Sequence, residues 1–346
     1  MADAPKICFV IVGLPRSGTS SIAQFFDHLG VYFGDPSHFL DTNKYMHNPI
    51  FYELQWLDNF NLSLLKALTP PKTRNCDLLP IETDFQRPEI VAFREPLQKQ
   101  FLEEFGDRTT VGVKAPLICF TFPLWHSVLT EMGYTVRTVL SLRSASAIFR
   151  SNLTLTPKTL SHVISRWQRW YVRHLLAIRY FTRDVQLCHF DYDLLMRQPL
   201  EYGKEKAAEL GLAIPDPAAA TRHLSTEHYH YQPDDAGTGD PWVDQIESDL
   251  RAGRLDPNEY LMYRRTAMLF EEELWNLEIY VRARQAQDSA ALQTGTASAK
   301  PQGPGQPTMQ QWFQEHQRLR AILQQGGRFD VEPRPDGSIN IKRLSQ

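Results

Sequence analysis

Residues 6–30 constrain the fold of this chain more than any other stretch. The apolar run KICFVIV leads into a loop with glycines at 13 and 18, and TSSIAQFFDHLG follows with helical spacing. A run that is apolar on both faces indicates a strand buried in a parallel sheet. A helix that begins directly after such a loop points backbone N–H groups and the positive end of its dipole at one spot. The sequence therefore predicts a β-loop-α unit that binds an anion.

Three further runs predict strands of the same sheet. They are TVGVK, TVRTVLSLR and DVQLCHF, at 110–114, 135–143 and 184–190, and helical sequence follows each of them. Strands that alternate with helices indicate a parallel sheet covered on both faces, with ligands at the carboxyl ends of the strands. We therefore predict an α/β fold of three layers with a mostly parallel sheet, P-loop nucleotide-kinase-like in its architecture.

The composition of the chain changes after this region. Residues 285–308 are rich in Gly, Pro, Ser and Gln without periodicity, which predicts a flexible linker. Beyond it, 309–325 has apolar residues at helical spacing, and RFDVEPRPDGSINIK predicts a hairpin. We therefore expect a main domain over 1–284, the linker, and a helix plus hairpin over 309–346. The linker predicts that this last part is decoupled from the main domain, while the apolar face of its helix leaves docking on the domain or self-association open.

Charge and composition limit the partners and the compartment. The formal net charge is -3 over 346 residues, too close to neutral to favour nucleic acid or anionic lipid as a main partner. No apolar segment reaches the roughly 20 residues that a transmembrane helix needs, and MADAPK lacks the features of a signal peptide. The four cysteines form no C-x-x-C pair and are expected to be reduced core residues. We therefore expect a cytoplasmic protein.

The first loop carries an unusual set of groups for holding an anion. Loops of the form G-x-x-x-x-G-K-[ST], which bind ATP or GTP, have a lysine where this chain has Thr19, and the only cation in the loop is Arg16. Phosphoryl transfer also needs a carboxylate-held Mg²⁺, which the sequence does not indicate. A sulfuryl group carries less negative charge, so arginine, lysine and backbone donors suffice for its transfer. The other loop residues of interest are Gly13, Ser17, Gly18 and Ser20.

Two motifs in this chain resemble those of one enzyme family. GLPRSGTSS resembles the 5′-phosphosulfate loop of sulfotransferases that use 3′-phosphoadenylyl sulfate (PAPS), in the version of protein-tyrosine, carbohydrate and many bacterial members. LRSASAIFRSNL resembles the family's 3′-phosphate motif, whose arginine and serine correspond here to Arg143 and Ser151. The resemblance covers roughly residues 6–282. It implies PAPS as the donor and adenosine 3′,5′-bisphosphate (PAP) as a product.

Two further segments extend the resemblance. HFDYDLLMRQPLEYGKEKAAELGL is similar to the family's strand-tyrosine-acid-helix segment, in which Tyr192 matches the tyrosine near the adenine. VGVKAPL is similar to the segment that carries a lysine beside the sulfuryl group, here Lys114. Arg150 is off the pattern of the second motif and is interpreted as a solvent-facing helix residue. The implied donor-binding residues are Pro15, Arg16, Ser17, Gly18, Thr19, Ser20, Arg143, Ser151 and Tyr192.

The general base is the least determined residue of the predicted site. Cytosolic sulfotransferases have a histidine two residues after the lysine, where this chain has Pro116. Protein-tyrosine sulfotransferases have a glutamate shortly after the loop helix, and the corresponding stretch here offers His38 and Asp35. HNPIFYE resembles the Asn-Pro-x-x-x-x-Glu element of bacterial members and offers Glu53. We rank Glu53 first, His38 second and His47 third.

Together these segments predict sulfuryl transfer from PAPS to a hydroxyl acceptor by in-line attack. Arg16, Lys114 and the loop N–H groups would stabilise charge on the bridging oxygen, and no metal is required. On the resemblance, we prefer a carbohydrate acceptor to a phenol, a peptide tyrosine or a lipid. Two alternatives stay open. A P-loop nucleotide or small-molecule kinase is disfavoured by Thr19, and a non-catalytic sulfotransferase-fold interaction module is left open by the undetermined base.

Overall fold

The structure of the chain is a computed structural model. It describes residues 5–41, 51–69, 79–153, 160–224, 238, 241–264, 329–333 and 339–343. The chain forms two compact units, Met1–Thr238 with Ile246–Tyr260, and Gly239–Gln245 with Leu261–Gln346. The predicted linker, the predicted helix beyond it and the third-ranked base His47 lie outside the described residues. The domain boundaries that we expect from the sequence stay a prediction.

Among the described residues, four parallel strands form the sheet of the first unit. They are β1 Lys6–Val12, β2 Thr110–Lys114, β3 Tyr134–Leu142 and β4 Leu187–Asp191, in the order β2-β1-β3-β4. β1 is central, because Phe9 is opposite both Gly112 of β2 and Arg137 of β3. The prediction of an α/β fold with a parallel sheet is confirmed. The carboxyl ends of all four strands therefore meet at one edge.

Helices surround this sheet. Those described are α1 Thr19–His28, α2 Gln55–Leu68, α3 Pro88–Val91, α4 Arg94–Phe105, α5 Ile118–Glu131, α6 Ala145–Leu153, α7 Leu160–Phe181, α8 Tyr192–Arg197, α9 Pro199–Glu209, α10 Pro217–Thr221 and α11 Pro241–Arg251. Short 3₁₀ helices span Pro36–His38 and Glu82–Gln86. The segment after β4, predicted as one helix, contains two, because Pro199 begins a new helix and disfavours helical backbone at Gln198 before it.

The core lies on both faces of β1. Its residues from Cys8 to Val12 are at most 1% exposed, as expected for a strand that is apolar on both faces. On one face, Phe9 packs edge-on against Phe26 of α1 at 5.2 Å between ring centroids, and Phe26 contacts Phe190 of β4 at 5.8 Å. Successive strand residues point to opposite faces, so Cys8 is directed to the other side. This packing holds α1 against the sheet, and the loop of residues 13–18 leads directly into that helix.

The remaining elements bear on three sequence predictions. In the second unit, β5 Phe329–Pro333 and β6 Ile339–Arg343 pair antiparallel, which confirms the predicted hairpin. Cys8, Cys119 and Cys188 are buried free thiols, as expected. Among the helices that the structure describes, none is long and apolar enough to cross a membrane.

Candidate active site

The loop of residues 13–18 joins β1 to α1 at the carboxyl edge of the sheet. Gly18 has a φ of 94°, and Arg16 has a φ of 73°, in the left-handed region that non-glycine residues rarely adopt. Ser141, near the end of β3, donates its hydroxyl to the Ser17 carbonyl at 2.8 Å. The loop is therefore tied to the neighbouring strand. Pro15 lies within it, and Thr19 and Ser20 are the first two residues of α1.

Arg143 and Ser151 of the second motif both contact Arg16 of the first. Arg143 Nη1 donates to the Arg16 carbonyl at 2.9 Å, and Arg16 Nε donates to Ser151 Oγ at 3.0 Å. Arg143 is 7% exposed and Ser151 is 2% exposed. The structure therefore brings the two predicted motifs together. The contact pairs Arg16, which the resemblance assigns to the 5′-phosphosulfate, with Ser151, which it assigns to the 3′-phosphate.

Tyr192 packs against the same loop. A Cβ added to Gly18 would lie 2.1 Å from Tyr192 Cδ2, so the ring occupies the space that only glycine leaves. The guanidinium carbon of Arg143 lies 5.0 Å from the centre of this ring, within cation–π range. Burial raises the pKa of the Tyr192 phenol. Arg16, Arg143, Ser151 and Tyr192 thus form one group, named here the arginine cluster.

A second polar group, the lysine cluster, consists of Ser20, Glu53 and Lys114. Lys114 Nζ at the end of β2 donates to Glu53 Oε1 at 2.5 Å and to Ser20 Oγ at 3.2 Å. The Lys114 side chain is fully buried, and that of Glu53 is 17% exposed. Burial lowers the pKa of Lys114, while the charge of Glu53 acts in the opposite direction. A buried ammonium at the edge of the sheet is therefore held by one carboxylate.

The two leading candidates for the base have different partners. Glu53 contacts Lys114, and its carbonyl accepts a hydrogen bond from the Leu40 N–H at 2.8 Å. His38 lies in a 3₁₀ helix, its side chain is 56% exposed, and its Nδ1 lies 2.9 Å from Glu104 Oε2. The contact with Glu104 raises the pKa of His38. Of the two, Glu53 is the one that contacts a predicted catalytic residue.

Sequence reasoning missed two carboxylates at the start of α6, the helix that carries Ser151. Asp193 Oδ2 accepts the Ser144 N–H at 3.0 Å, and Glu247 Oε2 accepts the Ala145 N–H at 2.8 Å. Asp193 is the acid of the strand-tyrosine-acid-helix segment, so the sequence contained a signal for it. Glu247 is 102 positions from its partner, and no local pattern indicates it.

One sequence interpretation needs correction. We interpreted Arg150 on α6 as solvent-facing, but the residue is half-buried and its Nε is buried. The reason is the burial of α6 itself, since Ile148 and Ser151 on the same helix are at most 2% exposed. Arg150 therefore lies closer to the packed interior than its position off the motif pattern suggested.

Neither a protein-family model nor a curated protein matches this sequence. Among solved structures, sulfotransferase STF1 from Mycobacterium tuberculosis H37Rv is 16% identical with a TM-score of 0.39, over 71% of this chain and 76% of that chain. The sulfotransferase domain of the Synechococcus PCC 7002 olefin synthase is 14% identical with a TM-score of 0.39, over 72% and 96%. Mouse sulfotransferase SULT7A1, complexed with PAP, is 13% identical with a TM-score of 0.34, over 68% and 70%. These similar structures are sulfotransferases, the family that the two motifs resemble.

Proposed function

We propose that the chain is a sulfotransferase that transfers the sulfuryl group of PAPS to a hydroxyl acceptor. The observation that carries this proposal is the contact between Arg16 and Ser151, which are 135 positions apart in the sequence. It joins a phosphate-loop-like β-loop-α unit to a second buried arginine and a serine. Two guanidinium groups, several hydroxyls and a helix N-terminus within one site suit a nucleotide with anionic groups at both its 5′ and 3′ positions.

The donor set fits PAPS residue by residue. The loop from Pro15 to Ser20 would hold the 5′-phosphosulfate, and Arg143 and Ser151 would hold the 3′-phosphate. Because Arg143 is 7% exposed, a phosphate that it binds leaves water and needs the charge-assisted hydrogen bonds that a guanidinium supplies. Tyr192 would lie beside the adenine. PAPS supplies the activated sulfuryl group, and the proposed mechanism assigns no step to a metal.

Lys114 and Arg16 are the proposed catalytic cations. Of these two cations, Lys114 contacts Glu53 and Arg16 contacts Ser151. In the proposed reaction they turn to the bridging oxygen of the donor, where negative charge develops. Glu53 is the proposed proton acceptor because it contacts Lys114, and His38 stays the second candidate.

The proposal also covers the acceptor, the location of the enzyme and the roles of its domains. We prefer a carbohydrate or another hydroxylated small molecule, on the resemblance of the loop to carbohydrate sulfotransferases. We propose a cytoplasmic enzyme, and the near-neutral net charge disfavours a nucleic-acid partner. We further propose that residues 1–284 form the catalytic domain, and that the helix predicted at 309–325 mediates self-association.

PAP is expected to stabilise the protein more than any ligand that lacks the 3′-phosphate. At a hundred times its Kd, PAP should raise the melting temperature by about 5 °C, because a ligand that binds only the folded state stabilises it by mass action. Adenosine 5′-phosphate at the same concentration is the matched control and should have a much smaller effect. Stabilisation by ATP with Mg²⁺ but not by PAP would favour the kinase instead. Activity that EDTA abolishes and Mg²⁺ restores would also contradict the proposal.

Replacing Arg143 by alanine is expected to remove most of the preference for PAP over adenosine 5′-phosphate. Loss of a charge-assisted hydrogen bond to the 3′-phosphate should weaken PAP binding by about 30-fold, or roughly 2 kcal/mol. Both ligands should also lose some affinity, since Arg143 supports the Arg16 carbonyl. Calorimetry with both ligands measures the difference, and Arg197→Ala, at an exposed position on α8, is the control. If the variant lost equal affinity for both ligands, Arg143 would not bind the 3′-phosphate.

A further inference from the structure

Two carboxylates bind the starts of the helices that follow β3 and β4. Asp191 is the N-cap of α8, and its Oδ1 accepts the Leu194 N–H at 3.0 Å. Glu247 of α11 accepts, through Oε2, the N–H of Ala145, the first residue of α6, at 2.8 Å. The first N–H groups of a helix have no partner within the helix, so a carboxylate there is stabilising. Each helix start is therefore held by one oxygen of a carboxylate.

Arg251 contacts the second oxygen of both carboxylates. Its Nη1 donates to Asp191 Oδ2, and its Nε donates to Glu247 Oε1 at 2.9 Å. Arg251 is the last residue of α11, and Ile246 and Leu250 on the same helix are at most 5% exposed. A planar guanidinium suits this arrangement, because its N–H groups point in fixed directions. One side chain, on a helix held in the core, thus joins the starts of α6 and α8; this double contact is named here the Arg251 fork.

The two helix starts lie next to the proposed donor-binding residues. Tyr192 directly follows Asp191, and Arg143 precedes Ala145 by two positions. The guanidinium carbon of Arg143 lies 5.0 Å from the centre of the Tyr192 ring. A shift of either helix start therefore changes how this guanidinium and this ring are placed relative to each other. The Arg251 fork holds both sides of that contact.

The fork also offsets negative charge beside the arginine cluster. PAP carries negative charge at both its 5′ and 3′ positions, so carboxylates without a cation next to its site would disfavour binding. The side chains of Asp191 and Glu247 are 21% and 16% exposed, and that of Arg251 is 28% exposed. Water therefore screens these charges only in part. Arg251 supplies the cation that both carboxylates share.

We infer that Arg251 is a positioning residue of the donor site, which sets the preference for nucleotides with a 3′-phosphate by holding the starts of α6 and α8 in place. This inference rests on the proposed function and concerns a residue outside the two motifs. Arg251 acts through Asp191 and Glu247 and does not itself contact the nucleotide. The loop for the 5′-phosphosulfate is held separately, by the hydroxyl of Ser141 on β3. Loss of the fork should therefore affect the 3′ end of the donor more than its 5′ end.

Two other roles for Arg251 predict different results. If Arg251 only stabilised the fold, its removal would lower the affinities for PAP and for adenosine 5′-phosphate by the same factor. If Arg251 bound the phosphate directly, its effect would not depend on Arg143. Arg254 is the matched control, because it is exposed and also pairs with a carboxylate, that of Asp249, at 3.0 Å.

Calorimetry with PAP and adenosine 5′-phosphate measures the preference for the 3′-phosphate. Arg251→Met should lower this preference about tenfold, because the charge-assisted contact of Arg143 is weakened without being removed. Arg251→Lys keeps a cation without the planar fork, and it should fold normally and lower the preference about threefold. Arg254→Met should leave the preference unchanged. In Arg143→Ala, the further change Arg251→Met should have no additional effect on the preference, because both changes act on the same contact.

Two outcomes of this experiment would overturn the inference and leave the proposed function intact. One is an unchanged preference in Arg251→Lys and in any Arg251→Met protein that folds. The other is a further tenfold loss of preference when Arg251→Met is added to Arg143→Ala. Failure of the proposed function would be recognised separately, because the unchanged protein would then bind no PAP.

A second measurement needs no nucleotide. Amide hydrogen exchange at Ala145 and Leu194 should be faster in Arg251→Lys, since the hydrogen bonds at both helix starts depend on carboxylates that the fork holds. Exchange at the same two amides should not change in Arg254→Met. Unchanged exchange at either amide in Arg251→Lys would overturn the inference, whatever the nucleotide affinities.

Discussion

Replacing Lys114 by methionine is expected to reduce turnover by about 10²-fold or more while changing PAP affinity little. Charge on the bridging oxygen develops mainly in the transition state, so a cation aimed at that oxygen contributes to the rate more than to binding. The Lys114 side chain is fully buried, so its charge acts with little screening by water. Turnover is measured as PAP release, and PAP affinity is measured by calorimetry.

Two further variants separate chemistry from stability. Removal of the Lys114 charge leaves Glu53 without its cation, and breaking a buried ion pair in this way costs about 3 kcal/mol. The double variant Lys114→Met with Glu53→Gln should recover most of that stability without recovering turnover. Lys206→Met is the matched control, because Lys206 also pairs with a glutamate, Glu209, at 2.7 Å. If Lys114→Met loses as much PAP affinity as turnover, the lysine serves in ground-state binding instead.

The arginine cluster was only partly predictable from the sequence. The strand and the helix on either side of the loop were predictable, because β1 is apolar on both faces and α1 has helical spacing. The contact between Arg16 and Ser151 was not. The direction of the Arg16 side chain depends on its positive φ, and arginine gives no local signal for that backbone conformation. The sequence therefore identified the residues of this cluster but not how they are paired.

The lysine cluster was predicted less completely. Lys114 and Glu53 were both candidates, but they are 61 positions apart and were assigned separate roles, so their ion pair was not foreseen. The N-cap of α2 is Leu54, and it makes no side-chain hydrogen bond to the helix. Without a Ser, Thr, Asp or Asn at the cap, no local signal places the start of the helix that follows Glu53.

Substitution of Gly18 by alanine is expected to cost more stability than the same change at any glycine with similar backbone but open surroundings. Gly18 has a φ of 94°, and an added Cβ would lie 2.1 Å from Tyr192 Cδ2. Gly30 has a φ of 87° with nothing within 4 Å of its added Cβ. Gly30→Ala therefore introduces only backbone strain, of about 1 kcal/mol. Gly18→Ala adds a steric overlap with a buried ring and should cost about 3 kcal/mol.

The same pair of variants connects stability to donor binding. Relief of the overlap in Gly18→Ala requires Tyr192 to move, and Tyr192 lies beside Arg143 in the arginine cluster. PAP affinity should therefore fall by about 30-fold in Gly18→Ala, because displacement of Tyr192 disturbs Arg143, whose proposed charge-assisted hydrogen bond to the 3′-phosphate contributes about 2 kcal/mol. It should not change in Gly30→Ala. Urea unfolding measures the two stability losses, and calorimetry measures PAP binding. If Gly18→Ala and Gly30→Ala lost the same stability and the same PAP affinity, the contact between Gly18 and Tyr192 would stabilise neither the loop nor the donor site.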